Sequence, residues 1–423
     1  MNVFEASQER LKVIFENFDN VYVSFSGGKD SGLLLNITLD YARKINRRIG
    51  VFHIDYEAQY KDTTDYVQEM LNINSDIIDR YHICLPIAAQ CATSMHQSYW
   101  IPWDKEKKDI WVRDLPPSCI NEENNPFDFF KKGMWDYDLQ NRFCEWIHSY
   151  KKAKKTCCLV GIRTQESLNR WRAIYSDSHY KTYKGYNWTK EMGRNIFNAY
   201  PIFDWKSTDV WIANANKNYS YNKLYDLFWK AGLDIDQMRV ASPFNDCAKE
   251  SLKLYRVIDQ RNWGKMIGRV DGVNFTGIYG GTTAMGWKSI KLPNGHTWKS
   301  YMEFLLTTLP KETAQNYKKK LEVSIKFWKE KGGCLSRSVV RKLKKAGVNV
   351  LMGNKTKRMT SKKPVRFEYL DDIDIAEFQQ VPSYKRMCVC ILKNDHTCKY
   401  MGFAPTKTEV ELRHRAMTKY KGI

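Results

Sequence analysis

Six consecutive residues, Ser26-Gly27-Gly28-Lys29-Asp30-Ser31, have the composition of an anion cradle. Two adjacent glycines let a backbone turn tightly and bring its N–H groups close to a phosphate. Ser26 and Ser31 add hydroxyl donors, and Lys29 adds a point charge suited to a pyrophosphate. The pattern Gly-x-x-x-x-Gly-Lys-Ser/Thr is absent, so this is not a Walker loop. A second candidate, Gly161-Ile162-Arg163-Thr164-Gln165-Glu166-Ser167 with Arg170 and Arg172 beyond it, offers arginines able to clamp phosphate by paired N–H bonds. The plainer alternative for Arg163, Glu166 and Arg170 is a salt-bridged helix start.

Both segments need elements that bring them together. Val21–Phe25 is a short β-prone run just before the first loop, and Leu33, Leu34, Ile37 and Leu39 begin an apolar-faced helix just after it. Ile49–Ile54 reads as the next strand, ending at Asp55, which completes a βαβ unit. Further strands are expected at 77–85, at 156–162, which is almost wholly apolar, and at 199–203. The segment from Cys91 to Tyr150 reads as an insertion overhanging the site, with a helix near 138–150. A short helix is expected from Lys206, capped by Ser207 or Thr208, and a long one over 300–330. The expectation is an α/β fold, a Rossmann-like (HUP-type) doubly wound parallel sheet with a helical insertion and a smaller basic C-terminal region. Its boundaries are 1–240 for the nucleotide-binding core, with the insertion at about 91–150, 241–330 for an elaborating region and 331–423 for the basic unit. In such a sheet ligands bind beyond the carboxyl ends of the strands, where the two motifs would meet.

SFSGGKDS, GIRTQESLNR and YPIFDWKSTDVW, in that order over about residues 20–213, resemble the motifs of the phosphoadenosine-phosphosulfate (PAPS) reductase-like branch of the PP-loop ATP pyrophosphatases. The resemblance implies ATP and Mg²⁺ as cofactors and cleavage between the α- and β-phosphates, adenylylating an acceptor. It places phosphate contacts on Ser26, Gly27, Gly28, Lys29, Asp30 and Ser31, a supporting role near the nucleoside on Asp55, and further contacts on Gly161, Arg163 and Arg170. Lys29, Asp30 and Arg163 are the candidate catalytic residues, with Asp30 and water as candidate magnesium contacts. SYKRMCVCILKNDHTCKYMGF and WGKMIGRVDGVN resemble an uncharacterised subgroup that includes immunoglobulin-binding regulator proteins, whose implied partner is a ParB-like protein. That subgroup keeps open a nucleotide-sensing regulatory or phage-defence role with little turnover. The chain departs from true reductases in lacking the Glu-Cys-Gly-Leu-His tail, and Cys157-Cys158 alone does not complete an iron–sulfur pattern.

The remaining composition narrows the partners. A net charge of +21 over 423 residues points to an anionic ligand, either a polyphosphate or nucleic acid. Residues 331–367 hold 12 Lys or Arg and no Asp or Glu, so Lys331–Arg366 is the candidate nucleic-acid contact, with a solvated linker as the alternative. No run of about 20 apolar residues is present and the start of the chain is charged, which excludes a membrane span and gives a cytoplasmic expectation. Eleven irregularly spaced cysteines read as thiols, not as a disulfide framework. Cys388, Cys390, His396 and Cys398 lie close in sequence but not at zinc-finger spacing, and as strand residues Cys388 and Cys390 would share one packed face. Cys247 reads as an incidental thiol, and His53 as a packed strand histidine.

Overall fold

The computed structural model describes residues 2–94, 97–175, 182–235, 238–240, 242–245, 252, 254–273, 292–309, 311–352, 362–393 and 395–403. Contacts divide the chain into two compact units, Met1–Cys91 with Tyr99–Gly277 and Ala92–Ser98 with Ile278–Ile423. No helix among the described residues is long and apolar enough to cross a membrane.

The first unit is built on strands β1 (Asn20–Ser24), β2 (Ile49–Ile54) and β3 (Ile78–Ile83), a short ribbon of β4 (Ala89–Gln90) and β5 (Tyr99–Trp100), then β6 (Thr156–Val160), β7 (Thr189–Gly193) and β8 (Ile196–Ala199). The main sheet has the order β3-β2-β1-β6-β8-β7, with only β7 antiparallel to its neighbour. Side chains alternate between two apolar layers, as strands buried on both faces require. Val21, Val23, Val51, Cys157 and Leu159 face one core with α1 (Val3–Asn17), α2 (Lys29–Lys44) and α3 (Lys61–Ile73). Tyr22, Phe52, Tyr81 and Cys158 face the other with α4 (Asp136–Tyr150). The fold is Rossmann-like, a mostly parallel sheet between helical layers. Because Cys157 and Cys158 point to opposite faces, they cannot ligate one cluster, and burial pushes the Cys158 thiol up to about 12.

Several expected elements move. The strand expected at 199–203 is Ile196–Ala199, paired to β7 as a hairpin, and Pro201–Asp204 is a turn instead. Pro201 has no N–H to give a ladder, which favours ending the strand before it. The helix at 136–150 is not part of an overhanging insertion. Leu139, Phe143 and Ile147 pack it on the sheet as the crossover between β3 and β6. Helix α5 (Ser207–Lys217) is capped at Lys206, whose N–H donates to Asp209 at 2.8 Å, and not by Ser207 or Thr208. The first unit also runs on to Gly277, past the sequence boundary near 240, since Arg269 reaches back to Glu57 at 2.9 Å.

In the second unit the helix expected over 300–330 is two, Trp298–Thr307 and Lys311–Lys326, followed by a wide turn at Phe327–Lys331. Folding back lets both share a core with Tyr384–Leu392 through Met302, Tyr317, Met387 and Cys390. Cys388 and Cys390 therefore lie on a helix, started by the Ser383 hydroxyl accepting the Arg386 N–H, and not on a strand. A second core holds a small three-stranded antiparallel sheet.

Candidate nucleotide-binding site

Strand order reverses at β1, with β2 on one side and β6 on the other, so the carboxyl ends of β1 and β6 open a crevice at this switch point. The loop 25–28 leaves β1 there. Gly27 has φ +78°, and a Cβ on it would lie 2.9 Å from both Thr63 Cγ2 and Val67 Cγ2, so both backbone and space call for glycine. Gly28 caps α2 without a side-chain bond, which leaves the helix's positive end open. Tyr225 OH accepts the Lys29 N–H at 2.9 Å, while the N–H groups of Gly27, Asp30 and Ser31 have no acceptor among the described residues. Ser26 and Ser31 hydroxyls meet at 2.9 Å and close the loop. From far along the chain, Asn222 Nδ2 donates to Gly27 O at 2.9 Å and to Thr63 Oγ1 at 2.8 Å, fixing the turn's shape.

The second motif arrives from β6. A Cβ on Gly161 would sit 3.0 Å from the backbone of Asp30 and Ser31, so glycine permits the two loops to touch. Arg163 is 1% exposed, and its Nε donates to Asp30 Oδ1 at 2.6 Å. Asp30 Oδ2 also lies 3.3 Å from Lys29 Nζ. Thr164 N donates to Phe203 O at 2.8 Å and Ser207 N to Gln165 Oε1 at 2.9 Å, so the third motif braces the second from behind.

The result is a cleft of about 270 Å³ lined by Ser26, Gly28, Lys29, Asp30, Ser31 and Gly161, with Glu166, Arg170, Tyr225 and Arg239 around it. An adjoining cavity of about 200 Å³ brings Lys29, Arg163 and Arg239 together. Burial lowers the Lys29 pKa, and the Arg163 and Arg239 charges press the same way, against the pull of Asp30. A third hollow, of about 130 Å³, is lined by Phe25, Phe52, Ile54, Tyr56, Gln59 and Gln140 and shares Ser24, Ser26 and Val240 with the main cleft. Gln140 is the described residue of 91–150 that reaches these spaces.

Most of the expected site residues meet here, but two have other work. Asp30 is committed to Arg163 and Lys29, and Glu166 to Arg170, so neither of these two carboxylates, the ones among the described residues of the cleft, fits a direct magnesium ligand. Asp55 is buried and lines none of these spaces. It accepts from Glu57 N at 2.9 Å, from His82 Nε2 at 3.1 Å and from Arg113 Nη2, and the Arg113 guanidinium holds its carboxyl well below the usual range despite burial. His53, Asp55 and His82 bring ligand atoms within 4.8 Å of one another, the geometry of a cation site. Arg113 already supplies that positive charge, and His53 Nδ1 is 2.7 Å from Phe25 O. Burial holds His53 down at about 4, so it is a packed neutral histidine.

Tyr225, Asn222 and Arg239 join the site without belonging to any of the three motifs; the signal available in the sequence was Arg239's charge, close to the expected end of the core near 240. Cys388, Cys390, His396 and Cys398 do not converge as a ligand set among the described residues: Cys388 Sγ donates to Trp298 O at 3.5 Å and His396 Nε2 lies 3.1 Å from Ser94 O. Cys247 and Arg172's side chain lie outside the described residues.

A phosphoadenosine phosphosulfate reductase domain matches residues 113–231, and a domain of unknown function (DUF3440) matches 232–412. The uncharacterized protein YbdN of Escherichia coli is 31% identical over 425 residues, covering 100% of this chain and 95% of its own. The chain belongs to the PAPS reductase-like family of the PP-loop superfamily. It shares that family with YbdN over its whole length, whereas the uncharacterized protein MJ0973 of Methanocaldococcus jannaschii is 26% identical over 211 residues, 49% of this chain and 38% of its own. The reductase-domain match begins after the Ser26–Ser31 loop, so in this PAPS reductase-like chain the loop rests on its own geometry. Among solved structures, the PAPS reductase of Candida auris in a phosphate complex aligns with 15% identity and TM-score 0.29, over 52% of this chain and 84% of its own. The NH3-dependent NAD synthetase of Campylobacter jejuni aligns with 13% identity and TM-score 0.28, over 66% and 96%.

Proposed function

We propose that this protein binds ATP with its phosphates on Ser26–Ser31 and cleaves it between the α- and β-phosphates, passing the adenylyl group to an acceptor. The observation that carries this reading is the open helix start at Gly28, with unpaired N–H groups and Lys29 facing the cleft. A nucleotide anion suits that end of α2 both by dipole and by direct donation. In this reading the adenosine lies over the hollow of Phe25, Phe52, Ile54 and Tyr56, whose aromatic and apolar walls suit a base. Departing pyrophosphate is met by Lys29, Arg170 and Arg239, cations aimed where negative charge develops. Arg163 acts as a positioning residue, fixing Asp30 and with it the first turn of α2. Mg²⁺, which would add to charge neutralisation, finds no uncommitted carboxylate among the described residues of the cleft and would travel on the nucleotide.

That same commitment of Asp30 and Glu166 to arginines favours a second reading. Among its described residues, a cleft whose carboxylates are already paired holds no carboxylate ready to take an acceptor's proton, which suits a nucleotide-responsive regulator acting with a ParB-like protein. The two readings separate when the purified chain is incubated with α- and γ-labelled ATP and Mg²⁺, beside Lys29→Ala. Lys29-dependent AMP and pyrophosphate support cleavage. Tight binding without products favours the regulator, and ADP with phosphate from this site would overturn the α–β assignment.

A further inference from the structure

The second unit carries a charged surface that the nucleotide site does not use. Strand Gly333–Ser336 pairs with Lys362–Arg366, which pairs in turn with Leu351–Met352. Helix Arg337–Lys345 leaves the first of these strands directly, started by the Ser336 hydroxyl accepting the Val339 N–H at 3.3 Å. Val339 and Leu343 bury in a core with Leu335, Val365 and Phe367. At about 100° per residue, Arg337, Arg341, Lys344 and Lys345 all project within roughly one 100° sector of the opposite side. All four are exposed, and none has an acidic partner among the described residues. The flanking Lys342 does have one, Glu377 at 2.7 Å.

Like charges one turn apart destabilise a helix, so this stripe is maintained against a local cost that a polyanion would remove. Nine residues make a rod roughly 14 Å long with one basic face, which fits the roughly 12 Å major groove of B-form DNA. The narrow major groove of an RNA duplex would not admit it. We propose that the exposed face of helix Arg337–Lys345 docks on double-stranded DNA through phosphate contacts from Arg337, Arg341, Lys344 and Lys345. The contact is to the backbone, so sequence preference is not required.

The test uses the full chain and a fluorescein-labelled 24-base-pair duplex, read by anisotropy from about 50 to 300 mM KCl, a range in which phosphate contacts respond strongly to salt. R337Q/R341Q/K344Q/K345Q is compared with K107Q/K108Q/K318Q/K319Q, which removes the same charge from exposed lysines elsewhere. The milder R341Q/K345Q is run beside them, and melting temperature checks that each variant is folded. We expect the stripe variant to lose at least tenfold in affinity and the salt slope to fall by roughly three to four, at about 0.9 per phosphate contact. R341Q/K345Q should lose about half that slope, and the control should stay within threefold of the parent. Equal losses in stripe and control variants, no binding by the parent at the lowest salt, or tighter binding to duplex RNA of the same length would each overturn the proposal.

Discussion

The carboxyl ends of β1 and β2 lie side by side, tied by Phe25 N to Phe52 O at 2.8 Å, yet they treat charge in opposite ways. After β1 comes a glycine turn whose N–H groups face open space, beside a lysine at the edge of a cleft. After β2 comes Asp55, enclosed by His82, Arg113 and the Glu57 backbone, with Glu57 itself held by Arg269, Trp103 N and Val112 N. An acidic residue at a strand end is thus not a ligand by position alone. Whether it meets a ligand depends on whether the fold has already supplied its counter-charge, and 99–113 and 269 do so here.

The sharpest way to break this comparison is to remove one charge from the ion pair at each strand end, Asp55 at β2 and the Arg163 that holds Asp30 at β1. Asp55→Ala strips Arg113 of its carboxylate and should cost about 3–5 kcal/mol in urea unfolding, whereas Arg163→Ala leaves Asp30 with Lys29 and should cost less. Their effects on nucleotide binding should diverge. Folded Asp55→Ala should hold ATP within threefold of the parent, while Arg163→Ala, which releases Asp30 and the start of α2, should lose tenfold or more by calorimetry. Loss of ATP binding in folded Asp55→Ala would return Asp55 to the nucleotide.

The β2 end should also govern acid stability. His53 has a folded pKa of about 4 against an ordinary value near 6.5, so the unfolded chain binds its proton first as pH falls. Stability is therefore fully present above about pH 6.5 and declines towards pH 4, by on the order of 3 kcal/mol for this one group. His53→Gln should flatten that stretch of a plot of unfolding free energy against pH, and an unchanged slope would assign the titration elsewhere.

Smaller effects are expected at the β1 end. Gly161→Ala presses a methyl group on the Asp30–Ser31 backbone and should cost about 1–3 kcal/mol, the usual penalty for overpacking. The same shift should weaken ATP binding, and a variant with lowered melting temperature but parental affinity would separate the two loops. Lys29→Gln should change the melting temperature little, because Asp30 keeps Arg163, while losing about tenfold in ATP affinity, or about 1.4 kcal/mol.

What the sequence determined is what is contiguous in the chain. Ser26–Ser31 between a β-prone run and an apolar helix is a local pattern, and β1, β2 and β6 follow from runs of apolar residues long enough to be buried on both faces. The arrival of Gly161 and Arg163 beside that loop follows from strand order in an open sheet. Where apolar spacing served strand and helix equally, at Cys388 and Cys390, packing against Tyr317 and Met302 decided for helix.

Only the tertiary structure could decide which charges stay open. Asn222 and Tyr225 reach the loop across almost 200 residues, and Arg113 and Arg269 reach Asp55 and Glu57 across 58 and 212. A carboxylate's partner is chosen by distance in space, since pairing energy falls with separation and solvent screening and not with position along the chain. The sequence therefore named Asp30, Asp55 and Arg163 as charged residues near a site, and the fold paired Asp30 with Arg163 and Asp55 with Arg113 and His82.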